Sequence, residues 1–172
     1  MNFPLDKKGF SADNKHIMEP KDRIKDLMEE LSGKGVRWTI QRYAVLEYLY
    51  THRTHPTAEE IFRALKRQFP AISKATVYNT LELLKQYGLV RELYLEKERA
   101  RYDFEVAPHF HLVCRSCGGI YDLGLSAPSV PKEVDGHVVE DVMYCAFGVC
   151  AECRSKAEQQ EALSGPQGTR RP

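Results

Sequence analysis

The stretch ISKATVYNTLELL, residues 72–84, decides the fold. Ser73 is a helix-capping type, Val77, Leu81 and Leu84 recur at helical spacing, and Gly88 supplies the stop. The spacing predicts a helix over 74–87 with that stripe buried. Its first turns then present Lys74, Ala75, Thr76, Tyr78 and Asn79 outward. These are side chains suited to DNA: Ala and Thr can touch a thymine methyl, Asn and Tyr can hydrogen-bond to base edges, and Lys can pair with phosphate. A capped amphipathic helix with a solvated polar face has the same pattern, so the neighbouring elements must decide.

Upstream, Thr57-Ala-Glu-Glu60 has the spacing of a capping box, opening a helix with Ile61, Phe62 and Leu65 inward. His55-Pro56 marks a break before it. Thr39 can cap an earlier helix carrying Val45, Leu46 and Leu49 on one face, with Arg37, Gln41 and Arg42 placed for phosphate contacts at its start. Before that, Pro20 suits a first helical turn, and Ile24, Leu27, Met28 and Leu31 follow until Gly33 and Gly35 end it. Downstream, 89–95 and 100–106 read as two strands around the charged turn EKER, with Lys97, Arg99 and Arg101 on this wing. Helix, short turn, helix, then hairpin is the order of a winged helix-turn-helix.

From Pro108 onward the text is strand-like: HFHLVC, GIYDLGL and HVVEDVMYCAFGV, with Pro128 and Pro131 between the last two. The fold class is therefore α+β, with these expected bounds: an N-terminal extension over 1–18, a winged-helix DNA-binding domain over 19–104, a metal-binding domain over 105–155, and a frayed polar tail over 156–172. The net charge of +1 gives no nucleic-acid signature; there are 19 basic against 16 acidic residues up to Glu105 and 6 against 8 beyond it. No apolar run is long enough for a membrane span, and no leader opens the chain, so a cytoplasmic protein is expected.

Five cysteines, an odd number, argue against a disulfide framework. Cys114-Arg-Ser-Cys117 and Cys150-Ala-Glu-Cys153 are instead two C-x-x-C knuckles, each presenting two thiolates to a shared ion at about 2.3 Å. Four thiolates make a closed site that selects structural Zn²⁺ and leaves no position for a substrate. Such an ion would clip two ends of one sheet together. Cys145 lies outside the pattern and reads as a small core residue. A redox dithiol would want a thioredoxin-like βαβ context, which is missing.

His109-Phe-His111 puts two imidazoles on one face of a strand. Asp103 lies on the preceding strand, Asp122 on the following one, and His55 in the break before the third helix. Singly, each has a plain alternative as a turn cap or a surface carboxylate.

Taken in order, HPTAEEIFRAL, ISKATVYNTLELL, RYDF, HFHLVCRSCG and GVCAEC resemble the ferric uptake regulator superfamily, most closely its peroxide-sensing branch, from about residue 20 to residue 155. The resemblance implies a winged helix joined to an α/β dimerisation domain, a homodimer on double-stranded operator DNA, and a repressor rather than an enzyme. It implies structural zinc on the four knuckle cysteines and a regulatory Fe²⁺ or Mn²⁺ on His55, Asp103, His109, His111 and Asp122. An N/O donor set of this kind suits those ions. With His55 from one domain and the others from the next, the ion would staple the two. The resemblance further implies that peroxide oxidises a ligand histidine, His109 or His55, releasing metal and DNA. A sibling regulator of iron or zinc availability is the alternative. Aspartates at 103 and 122, and Asp141-Val142 where relatives often carry His-His, point to the peroxide branch.

Three positions depart from the pattern. Ile40 replaces a common proline, 126–136 is short and carries two prolines where a helix is usual, and Cys145 is unusual. A hydrolytic metalloenzyme would need an open coordination position and a base motif such as H-E-x-x-H, which is absent. A zinc-stabilised interaction module without DNA binding is the remaining reading.

Overall fold

Capping chemistry sets the helices where the residues anticipate them. The computed structural model describes residues 20–96 and 99–164; the expected N-terminal extension, wing residue Lys97 and the last part of the tail lie outside these. The chain divides into two compact units, parted between Trp38 and Thr39.

In the first unit, α1 (Pro20–Gly33) buries Ile24, Leu27 and Leu31, while Met28 is half-buried. Its C-terminus is a Schellman turn: Gly35 takes φ +84°, Gly35 N donates to Ser32 O, and Val36 N donates to Leu31 O at 3.0 Å. Trp38 Nε1 donates to the helical Met28 carbonyl.

In the second unit, Thr39 caps α2 (Ile40–Thr51) by accepting from Arg42 N. Thr57 and Glu60 form the reciprocal capping box of α3 (Ala58–Lys66), and Ser73 caps α4 (Lys74–Gln86) by accepting from Thr76 N. The three helices pack on one another around Val45, Leu46, Leu49, Ile61, Val77, Leu81 and Leu84, each at most 1% exposed. Deleting one such leucine side chain to alanine costs about 2–5 kcal/mol. Phe62, expected inward, is only half-buried: the ammonium groups of Lys66 and Lys74 stand over its ring at 5.6 and 5.7 Å, so it serves the surface as a cation–π platform.

Gly88, at φ +66°, ends α4 with a second Schellman turn, Leu89 N donating to Leu84 O. The chain then enters an antiparallel hairpin of β1 (Arg91–Glu96) and β2 (Arg99–Asp103). Both strands are shorter than the expected 89–95 and 100–106.

The remaining elements form a three-stranded sheet, ordered β4 (Ile120–Ser126), β3 (His109–Cys114), β7 (Tyr144–Gly148). β3 is antiparallel to β4 and parallel to β7, with His111 opposite Asp122 on one side and Cys145 on the other. Between β4 and β7 no helix forms. Residues 126–136 instead lead into a small hairpin of β5 (Glu133–Val134) and β6 (His137–Val138). Its turn is Asp135-Gly136, with φ +51° and +78°, the two positive values a type I′ turn requires.

The largest correction concerns the tail. Ala151–Ser164 is one helix, α5, so 156–164 is not frayed. Ala, Glu, Gln and Lys are strong helix formers, and Lys156–Glu152 and Arg154–Glu158 pair at i,i+4 along it. Its described side chains have no apolar stripe. That is why hydrophobic periodicity overlooks it.

Candidate metal centres

β3 and β7 run parallel and end side by side, Cys114 opposite Gly148, so both knuckles open at one corner of the sheet. The expected clip across two ends of a sheet is thus a clip across neighbouring strand ends. In the first knuckle Gly118 takes φ +70° and donates its N–H to Cys114 O, while Cys114 N donates to Gly119 O. The second knuckle is the first turn of α5, where free N–H groups favour negative charge: Cys150 N donates to Cys114 Sγ at 3.2 Å and Cys153 N to Cys150 Sγ at 3.5 Å.

All four sulfurs lie within 4.8 Å of one another, and Cys117 Sγ and Cys150 Sγ are 3.9 Å apart. A tetrahedron with bonds of about 2.3 Å has edges of about 3.8 Å, so the arrangement fits one zinc. The backbone N–H groups of Cys150 and Cys117 hold the Cys114 thiol down at about 6. The Tyr121 hydroxyl and the Cys153 N–H lower Cys150. Hydrogen bonding to Cys150, burial and the neighbouring thiols push Cys153 up to about 12. Four sulfurs crowded at one corner are what a dication relieves, by binding them as thiolates.

The second cluster is built around a strained residue. His55 sits at φ +50°, unusual for a side chain with a Cβ, and is 2% exposed. β2 holds it there. Arg101 Nη1 donates to His55 O, Tyr102 N donates to Pro56 O, and Thr57 bridges to Arg101. The same strand ends at Asp103, so His55 and Asp103 form one backbone-tied pair. Asp103 therefore belongs with His55 on the helix–wing side, and the candidate donors divide two against three. From the sheet, β3 contributes His109 and His111 and β4 contributes Asp122.

These donors converge. One ligand atom each from His55, Asp103, His109 and His111 can be chosen with all four within 4.8 Å. Asp122 Oδ1 is 3.0 Å from both His55 Nε2 and His109 Nε2, and 3.8 Å from His111 Nε2. Asp103 Oδ2 is 3.3 Å from His109 Nε2 and 3.4 Å from His111 Nε2. Donors about 2.1 Å from an ion stand about 3.0–3.4 Å apart, depending on geometry.

Outer contacts aim the candidate donors. His109 Nδ1 donates to Ala107 O at 2.8 Å, leaving the Nε2 lone pair toward the cluster, and Glu105 N holds Asp103 Oδ1. Burial raises Asp122, but the His55 and His109 imidazoles outweigh it and hold its carboxyl below the ordinary value. Both ring nitrogens of His55 and Nδ1 of His111 are buried without a hydrogen-bond partner, the contact of His55 with Asp122 being close but poorly aligned. Orphaned buried imidazoles beside a buried carboxylate are costly alone and are satisfied by a cation. The donor set fits Fe²⁺, Mn²⁺ or Zn²⁺.

One further contact joins the two sides: Arg91 of β1 donates through Nη2 to Asp141 Oδ1 at 2.6 Å and to Val142 O at 3.0 Å. Nothing in the sequence pattern signals it. Cys145, beside His111 in register, is half-buried, and burial pushes its thiol up.

At the start of α4, Lys74, Ala75, Tyr78 and Asn79 are exposed, and Thr76 is half-buried with its hydroxyl against Ser73 Oγ. Lys74 Nζ rests on Glu59 at 2.7 Å. Gln41 and Arg42 lie half-buried in the first turn of α2, Arg37 is exposed in the first unit, and the wing carries exposed Arg99 and half-buried Arg101.

The sequence matches the model of the Ferric uptake regulator family over residues 33–134. It is 39% identical over 137 residues to the peroxide operon regulator of Bacillus subtilis (strain 168), covering 77% of this chain and 94% of that protein. Among solved structures it is similar to the Campylobacter jejuni peroxide stress regulator, with TM-score 0.51 and 30% identity, covering 79% of this chain and all of that one. The Helicobacter pylori ferric uptake regulator Fur superposes with TM-score 0.60 at 22% identity, over 82% and 97% of the two chains, and so shares the fold.

Proposed function

The chain belongs to the ferric uptake regulator family, and from that premise we propose that it is a metal-dependent, DNA-binding transcriptional repressor that senses peroxide. The observation that carries the reading is the convergence of His55 and Asp103 from the helix–wing side with His109, His111 and Asp122 from the sheet. We assign Fe²⁺ or Mn²⁺ to that cluster and structural Zn²⁺ to Cys114, Cys117, Cys150 and Cys153.

The winged-helix domain is taken as 19–104 and the dimerisation domain as 105–155. The regulatory donors cross this boundary, so occupancy favours one placement of the reading helix relative to the sheet, a population shift with a stated differential contact. In a homodimer that placement sets the spacing of two recognition helices over an operator. Leu125, Val138, Phe147 and Val149, each at least half exposed, supply apolar surface for the second copy. On the DNA, Lys74, Ala75, Thr76, Tyr78 and Asn79 meet the major groove, and Arg37, Gln41 and Arg42 meet phosphates. Lys74 exchanges its Glu59 partner for the backbone. Among the described residues no helix is long and apolar enough to cross a membrane, and a DNA-bound regulator works in the cytoplasm.

Held by His55, Asp103, His109, His111 and Asp122, Fe²⁺ would supply redox chemistry toward peroxide, one oxygen atom going to a ligand imidazole and the other leaving as water. Access selects the imidazole. The His109 side chain is 14% exposed, against 1% for His55 and His111, and it adjoins the 44%-exposed Asp122 side chain. An oxidised His109 no longer offers its lone pair as before, and the helix–wing side is released. This is self-modification, not turnover.

The test is mass spectrometry of the iron-loaded protein after dilute peroxide, alongside operator binding. Gain of one oxygen atom on the peptide bearing His109, with loss of DNA affinity, is expected. An unmodified peptide with DNA affinity still governed by metal concentration would replace this reading with a regulator of iron or zinc availability.

A further inference from the structure

β4 serves both clusters through adjacent residues. Successive side chains on a strand face opposite ways, so Asp122 points to the imidazoles while Tyr121 points to the cysteines. Tyr121 Oη lies 3.8 Å from Cys117 Sγ, and its ring crosses the backbone of Gly119. A Cβ at residue 119 would stand 2.9 Å from Tyr121 Oη and 3.0 Å from Cε2. A glycine thus makes the cradle into which the ring fits. Cys117 is the exposed member of the four, so the ring stands at the side of the cluster most open to solvent.

We propose that Tyr121 is a positioning and shielding residue of the four-cysteine centre: its hydroxyl donates to the edge formed by the Cys117 and Cys150 thiolates, and its ring, seated on Gly119, shields that edge against peroxide and against loss of zinc. The inference rests on the reading that these cysteines hold zinc. A phenol keeps its proton at neutral pH and a zinc-bound thiolate is an acceptor, so the direction of the bond is set. Donation withdraws charge from the sulfur and lowers its nucleophilicity.

The step it slows is explicit. A thiolate attacks one peroxide oxygen, the O–O bond breaks, the sulfur becomes a sulfenic acid and hydroxide leaves. A second thiolate then displaces hydroxide from that sulfur, forming the S–S bond. Two thiolates are oxidised, peroxide is reduced to two hydroxides, and zinc retains too few donors. A protein that oxidises an imidazole at one centre must spare the thiolates of the other. Tyr121 supplies part of that selectivity.

The test uses the full zinc-loaded chain, with a chromogenic chelator reporting zinc release under hydrogen peroxide. Tyr121→Phe keeps the ring but loses the donor, and should release zinc about five-fold faster, the worth of one ordinary hydrogen bond. Tyr121→Leu removes donor and cover together and should be faster still. With Co²⁺ in place of zinc, the sulfur-to-metal charge-transfer band should move to lower energy in Tyr121→Phe, which a merely structural role would not produce. A Phe variant with wild-type release and an unmoved band, each chain still holding zinc, overturns the inference alone. A wild-type chain that binds no zinc at these cysteines overturns the zinc reading and the inference with it.

Discussion

The four-cysteine cluster takes every donor from two neighbouring strand ends and the first turn of the following helix. The imidazole–carboxylate cluster gathers His55 and Asp103 from the helix–wing side and three donors from the sheet. The first is local, sulfur-rich and held by backbone N–H groups. The second depends on a left-handed histidine and on two parts keeping their placement. An ion inside one folding element stabilises that element; an ion shared between two reports where they stand. The difference between the two proposed roles follows from the distribution of donors as much as from their chemistry.

The sharpest way to break that contrast is Cys114→Ser. Structural zinc contributes on the order of 10 kcal/mol where it nucleates a small fold, comparable to the whole stability of a domain. The variant should lose zinc, the thermal transition of the sheet and the dimer together, read by metal analysis, circular dichroism and size-exclusion chromatography. A zinc-free variant that melts like the wild type would show that the cysteine cluster is no more structural than the other.

The converse substitution is His111→Ala. His111 is buried at the centre of β3, between Asp122 and Cys145 in register. Removing it should weaken the regulatory metal on the order of 100-fold or more, since even outer-contact losses cost 10–100-fold. Metal-activated operator binding should disappear while zinc content and the dimer persist. Loss of zinc in this variant would mean that the two centres fold as one.

How much of this contrast was legible follows the same line. Features carried by short-range pattern were readable: the caps at Thr39, Thr57 and Ser73, the stop at Gly88, the alternation of His109 and His111, and the two C-x-x-C pairs. The Asp135-Gly136 turn carried a hairpin signal that the two nearby prolines obscured. α5 was missed because its stability comes from residue propensity and i,i+4 pairs, which leave no apolar stripe to detect. The side on which Asp103 stands depends on hydrogen bonds from β2 to residues 55–57, across more than forty positions. Tyr121 over Gly119 is not legible in the sequence, since strand alternation alone does not say what an outward tyrosine packs on.

Arg91 sharpens the comparison by a smaller amount. It is a protein-only link across the same divide as the regulatory ion, tying β1 to Asp141 and to the Val142 carbonyl. Its side chain is 16% exposed while that of Asp141 is 77% exposed, so solvent screens the ion pair and about 1 kcal/mol is a reasonable ceiling. If the link holds the two sides together before metal arrives, part of the cost of closing the site is already met. Arg91→Ala should then weaken regulatory metal binding by about five-fold, the equivalent of that energy, through a lower closed population. The four-cysteine cluster has all its donors on one side of the divide, and its zinc should not respond. Titration of metal-dependent operator binding, with zinc content measured in parallel, checks both halves. Equal weakening of both centres would make Arg91 a general stabiliser, and an unchanged regulatory affinity would show that this link contributes nothing to closing the site.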